Sequence, residues 1–169
     1  MKKALIVYDS IYGNTRKVAM SLSRGLEAGG IYVDSKFVSN CRPDELEDYD
    51  IIGIGGPTHF HGISKNIKLF LSKLEKNKLK DKTGFAFETK AEVPLAGSAG
   101  KKIMKSLKKL DLKIIDVNIT GKVLEKEGPL VESTLKAMEQ SGITISDKVN
   151  QELLKSSKEG CEWIILLLR

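Results

Sequence analysis

Two short apolar runs, Ala4-Leu-Ile-Val-Tyr8 and Tyr49-Asp-Ile-Ile-Gly-Ile54, stop abruptly at Asp9-Ser10 and at Gly55-Gly56-Pro57. A strand apolar at consecutive positions has no face to give to water, so it belongs in a parallel sheet covered by helices on both sides. Between the runs, Val18, Leu22 and Leu26 recur four apart and predict a helix stopped by Gly29-Gly30, after which Ile31 to Val38 forms the second strand. Ile67, Phe70, Leu71 and Leu74 then mark a helix, Gly84 to Glu88 a strand, Ile103, Met104, Leu107 and Leu110 a helix, and Ile114 to Ile119 a fifth strand. Gly128-Pro129 is expected to open a last helix carrying Leu130, Leu135 and Met138, with proline in the turn where its missing N–H costs least. Strands alternating with helices through right-handed crossovers give an α/β three-layer sandwich with one five-stranded parallel sheet, ordered 2-1-3-4-5.

The 169 residues, 30% of them charged, form one domain spanning residues 1–169. At that length about 70% of the unfolded chain's surface is buried, so neither disulfide nor structural metal is needed. Cys41 and Cys161 lie far apart and make no CxxC pair; no metal site is expected, and the thiols fit a reduced, cytoplasmic setting. Residues 143–169 read as a C-terminal extension, with a short helix from Asn150 to Lys158. Its apolar end from Trp163 to Leu168 falls short of the roughly 20 residues that span a bilayer. The expected role of this tail is to cover helix or sheet surface, within a monomer or across a homodimer, with a membrane-surface or partner contact as the alternative.

The net charge of +6 is unevenly spread. Residues 65–82 and 101–113 each carry +5, whereas residues 42–50 carry −4. Basic helices of this kind suit an acidic redox protein partner, and they also keep a domain soluble. Nucleic acid is disfavoured because no aromatic-basic interleaving is present.

The segment Asp9-Ser-Ile-Tyr-Gly-Asn-Thr15 joins a parallel strand to a helix, where backbone N–H groups and the positive helix end face a ligand. Ser10, Asn14 and Thr15 add neutral donors, and Gly13 permits close backbone approach. The loop is neither a Walker loop nor a GxGxxG turn. Its plainer reading is an N-cap made by Asn14 or Ser10. In the 2-1-3-4-5 order this loop adjoins Gly55-Gly-Pro-Thr-His-Phe-His-Gly62, and a third loop runs from Glu88-Thr-Lys90 to Gly97-Ser-Ala-Gly100. Together they open one crevice.

Ser10-Ile11-Tyr12-Gly13-Asn14-Thr15 resembles the phosphate loop of the flavodoxin family, whose members bind flavin mononucleotide (FMN). Tyr12 is similar to the quinone-reductase branch, as is Gly56-Pro57-Thr58-His59-Phe60-His61-Gly62, where His59 takes an Arg or Tyr position and His61 is inserted. Phe87-Glu-Thr-Lys90, Gly97-Ser-Ala-Gly100 and Gly128-Pro-Leu130 resemble segments of other flavodoxin-domain proteins. The resemblance covers about residues 1–142 and implies FMN as cofactor: Ser10 to Thr15 at its phosphate, Pro57 to Gly62 with Thr89 and Lys90 around its ring. Phe60 is the candidate apolar wall, with packing against Phe70 as its alternative. Tyr12 is assigned to the ribityl side. His59 and His61, the only histidines, would make the ring's potential depend on pH near about 6 to 7, or else are plain loop residues. Unlike ordinary acidic flavodoxins the chain is basic, and its only tryptophan, Trp163, is in the tail.

A bound flavin carries the redox chemistry, so no protein nucleophile is required. The favoured expectation is an electron carrier serving a protein partner; the alternative is an NAD(P)H-dependent quinone or small-molecule oxidoreductase. A phosphoacceptor receiver domain shares the strand order but needs an acidic pair, where this chain supplies Asp9 alone beside the first strand.

Overall fold

The computed structural model describes residues 1–58, 62–91, 97–117, 119–124 and 128–167, with residues 153–167 described as helical backbone only. Strands β1 (Lys3–Tyr8), β2 (Tyr32–Phe37), β3 (Ile51–Pro57), β4 (Thr83–Ala91) and β5 (Lys113–Ile114) form a parallel sheet in the order β2-β1-β3-β4-β5. Both apolar runs occupy its centre, and Leu5, Ile6, Ile52 and Ile54 have no exposed surface. The expected fold class is therefore the observed one.

The fifth position is divided in two. β5 pairs with Thr83–Gly84, and β6 (Thr120–Val123) pairs with Glu88–Ala91 farther along the same strand. Four steps along β4, from Gly84 to Glu88, are matched by six from Ile114 to Thr120, so the expected continuous strand cannot keep register. The detour stays attached to the core through Ile115 and Ile119, both buried.

Helices α1 (Asn14–Ala28) and α5 (Thr134–Leu167) cover one face of the sheet; α2 (Lys65–Ser72), the single turn α3 (Lys76–Leu79) and α4 (Ala99–Lys109) cover the other. On the first face, Val18, Leu22 and Leu26 of α1 meet Met138, Ile145 and Val149 of α5. Each such buried aliphatic side chain contributes about 1.5–3 kcal/mol. The helices touch backbone to backbone: a Cβ on Gly25 would collide with the Glu139 carbonyl, and one on Gly142 with that of Leu22.

The last helix departs from expectation at both ends. It begins at Thr134, because the Gly128–Val131 segment pairs with β6: Leu130 bridges Val123, the Leu124 N–H donates to the Pro129 carbonyl at 3.0 Å, and the Val131 N–H donates to that of Lys122 at 2.9 Å. Backbone groups committed to strand pairing cannot start a helical turn. At the other end the expected short helix from Asn150 is continuous with α5, which runs to Leu167. No helix among the described residues is long and apolar enough to cross a membrane.

Candidate functional site

The loop after β1 enters α1 through Gly13, whose φ of +81° lies in the left-handed region that glycine adopts without strain. Gly13 is the N-cap residue and makes no side-chain cap. Neither plain alternative accounts for the loop: the Asn14 amide points away and donates to the Gly128 carbonyl at 2.7 Å, while the Ser10 hydroxyl accepts only a long 3.3 Å bond from the Arg16 N–H. Among the described residues, the N–H groups of Gly13, Asn14 and Thr15 find no acceptor. Such orphan donors at a positive helix end are the chemistry of an anion seat. No acid stands in the first turn of α1. Ile11 and Tyr12 are 59% and 50% exposed, leaving two large apolar side chains at the mouth.

Thr15 faces inward. Its hydroxyl pairs with that of Thr89 at 2.8 Å, both residues being buried, and this bond ties the first loop to β4. The Thr89 carbonyl is also engaged, accepting from the Thr58 N–H at 2.8 Å. Pro57 ends β3 opposite Thr89, and Lys90 is half-buried with its Nζ 3.9 Å from a Glu88 carboxylate oxygen. Gly62 sits where an added Cβ would meet the Lys102 Nζ at 3.4 Å. His59, Phe60 and His61 lie outside the described residues.

At the centre of these loops is a residue outside the set expected from the sequence. Glu88 is only 3% exposed. One carboxylate oxygen accepts from the Thr58 hydroxyl at 2.6 Å and the Gly100 N–H at 3.0 Å; the other accepts from the Ser98 hydroxyl at 2.9 Å and that of Thr120 at 3.3 Å. A buried carboxylate is tolerated where its lone pairs are met and a helix dipole faces it, here the N-terminus of α4. Ser98 also caps that helix by accepting from the Lys101 N–H at 3.0 Å, and the Ala99 N–H donates to the Thr58 hydroxyl at 3.1 Å. One acid thus fixes the start of the loop after β3, the end of the loop after β4, and β6. The signal was an acid at the end of the buried Phe85-Ala-Phe run, followed ten residues later by a capping serine.

The described residues therefore assemble a crevice at the C-terminal ends of β1, β3 and β4, the topological switch point where open α/β sheets bind ligands. Its donor set fits the phosphate of a mononucleotide: free backbone N–H groups, neutral hydroxyls and a positive helix end.

Comparison with known proteins places this geometry. The chain belongs to the flavodoxin-domain family, whose sequence model matches residues 5–109. Its fold matches a flavodoxin from the domain Archaea, with a TM-score of 0.74 at 23% identity over 88% of this chain and 99% of that one. An uncharacterized protein of Methanocaldococcus jannaschii is 33% identical over 114 residues, 67% of this chain and 71% of the relative. A protein of Archaeoglobus fulgidus named NAD(P)H dehydrogenase (quinone) is 30% identical over 126 residues, 57% of this chain and 65% of that protein. A namesake from Azorhizobium caulinodans is 31% identical over 115 residues, 54% of this chain and 58% of its own length. The chain thus spans about three fifths of the length of these two namesakes.

These names correct one expectation. A carrier, which needs only an exposed ring edge, is the expectation from the sequence, whereas separate relatives bear the name of an oxidoreductase. The likeness is to flavin-binding oxidoreductase-type proteins.

Proposed function

We propose that the protein is an FMN-dependent NAD(P)H oxidoreductase whose acceptor is a quinone or another small two-electron oxidant. The observation that carries this reading is the anion seat after β1, tied through Thr15 and Thr89 to a crevice framed by the loops after β3 and β4. The names of the relatives supply the reaction class.

In this reading Ser10, Ile11, Tyr12, Gly13, Asn14 and Thr15 hold the phosphate end, the N–H groups of Gly13, Asn14 and Thr15 donating to its oxygens. Pro57, Thr58, His59, Phe60, His61, Gly62, Thr89 and Lys90 surround the ring. When bound, FMN supplies the redox chemistry, and the overall balance is NAD(P)H + H⁺ + quinone → NAD(P)⁺ + hydroquinone, two electrons passing from donor to acceptor. The chain's own work is to bind, orient and shield. Glu88 holds both ring loops in register, and the exposed Tyr12 and Ile11 limit water at the mouth. Residues 1–169 act as one flavodoxin-like domain, and the buried free thiol of Cys41 suits a cytoplasmic setting.

The test is anaerobic mixing of FMN-loaded protein with NADH or NADPH, followed by a quinone. Bleaching of the flavin absorption by the donor and its recovery with quinone support the reading. A flavin that binds but is not reduced by either nucleotide overturns it.

A further inference from the structure

The two lysine-rich stretches of the sequence come together in the fold. α2 and α4 bury Ile67, Phe70, Ile103 and Leu107 in the same core, so their outward lysines share one side of the sheet. Between the helices lies a cleft of about 520 Å³. Its walls carry Lys68 from α2 and Lys102, Ser106 and Lys109 from α4, its floor is formed by Leu71 and Leu110, and its upper end is Gly62. Among the described residues, no carboxylate lines it. Neighbouring lysines are neutralised, Lys76 by Asp111 at 2.9 Å and Lys78 by Glu47 at 3.2 Å, whereas Lys68 and Lys109 have no ion pair among the described residues.

Lys68 and Lys109, without ion pairs among the described residues, beside an apolar lining of Leu71 and Leu110 suit a ligand that is both anionic and partly flat and apolar. From Lys102 to Lys109 the helix rises about 10 Å, enough to follow an extended molecule. The end at Gly62 belongs to the loop assigned to the ring, so a molecule lying in the cleft has one end at the ring and its charge among the lysines. We propose that this cleft holds the diphosphate arm of the nicotinamide dinucleotide donor, with the adenosine directed toward Leu110. The proposal rests on the flavin reading above and names the donor's seat.

The test uses ADP-ribose, the donor without its nicotinamide, titrated by calorimetry into the full chain with FMN added. The wild-type protein binds it, more weakly at higher salt. The Lys68→Gln/Lys109→Gln double variant binds about tenfold more weakly, a change matching loss of modest, solvent-screened charge contacts. In turnover that variant raises KM for NADH by a similar factor and leaves kcat and FMN affinity unchanged. Absence of ADP-ribose binding to wild type, as when an acidic protein is the true occupant, overturns the proposal; so does equal binding by wild type and variant. Lysine-dependent ADP-ribose binding by a protein that takes up no FMN supports the cleft and sinks the flavin reading. Reduction by NADH with lysine-independent ADP-ribose binding does the reverse.

Discussion

The two faces of the sheet are built on opposite plans. The α1/α5 face is closed: two helices meet through Gly25 and Gly142, and Ser146 and Gly29 continue the contact. The α2/α4 face is open: α2 ends at Ser72, α4 at Lys109, and a lysine-walled cleft separates them. Close-packed interiors respond to a single methyl group, whereas solvated lysines do not, so the α1/α5 contact should be far more sensitive to substitution than the walls of the α2/α4 cleft.

The largest effect is expected where the closed face is tightest. Gly25→Val or Gly142→Val forces helix backbones apart and should cost about 3 kcal/mol or more, which is about 6–12 °C in Tm for a chain of this size. Lys68→Gln should change Tm by less than about 1 °C. Equal thermal losses at Gly25 and Lys68 would break the division between the faces.

Next comes Glu88, at the C-terminal edge of the sheet. Glu88→Ala strands four donors and should cost about 2–3 kcal/mol, with FMN affinity falling at least about tenfold. Glu88→Gln keeps the shape and should recover part of the stability while still weakening FMN. A thermal melt paired with flavin titration reads both, and unchanged FMN affinity in Glu88→Ala would remove the residue from the site. Thr15→Val deletes the bond to Thr89 and should cost about 1 kcal/mol, measured by urea unfolding.

The smallest effect concerns a surface pair at the far edge of the sheet, where Lys36 bonds Glu45. That bond, with help from the Arg42 N–H, holds the Glu45 carboxyl below its usual range. A depressed folded pKa contributes stability above the unfolded value of about 4.3 and loses it as pH falls through the folded value. Lys36→Ala should therefore flatten the acid limb of the stability curve below about pH 4, read by thermal melts at a series of pH values.

Sequence periodicity was enough for the sheet because each central strand is apolar at consecutive positions and each helix keeps a four-residue stripe. It failed where tertiary pairing overrode local preference: Pro129 looks like a helix start, yet its segment serves β6. The division of the fifth strand was equally hidden, since two extra residues announce themselves only against the register of β4. In the site, Ser10 to Thr15 were legible because strand, glycine turn and helix are contiguous. Glu88 was not, since its partners Thr58, Ser98, Gly100 and Thr120 are scattered along the chain and gather only in the fold.

The most direct test of the central claim is titration of FMN into the purified protein, followed by flavin fluorescence, with wild type beside a Gly13→Val variant. Gly13 holds a positive φ and an added Cβ would meet open space, so valine strains the loop without crowding the core. The account predicts one FMN bound per chain by wild type and binding at least about tenfold weaker in the variant. No FMN binding by wild type, or equal binding by both proteins, would contradict it.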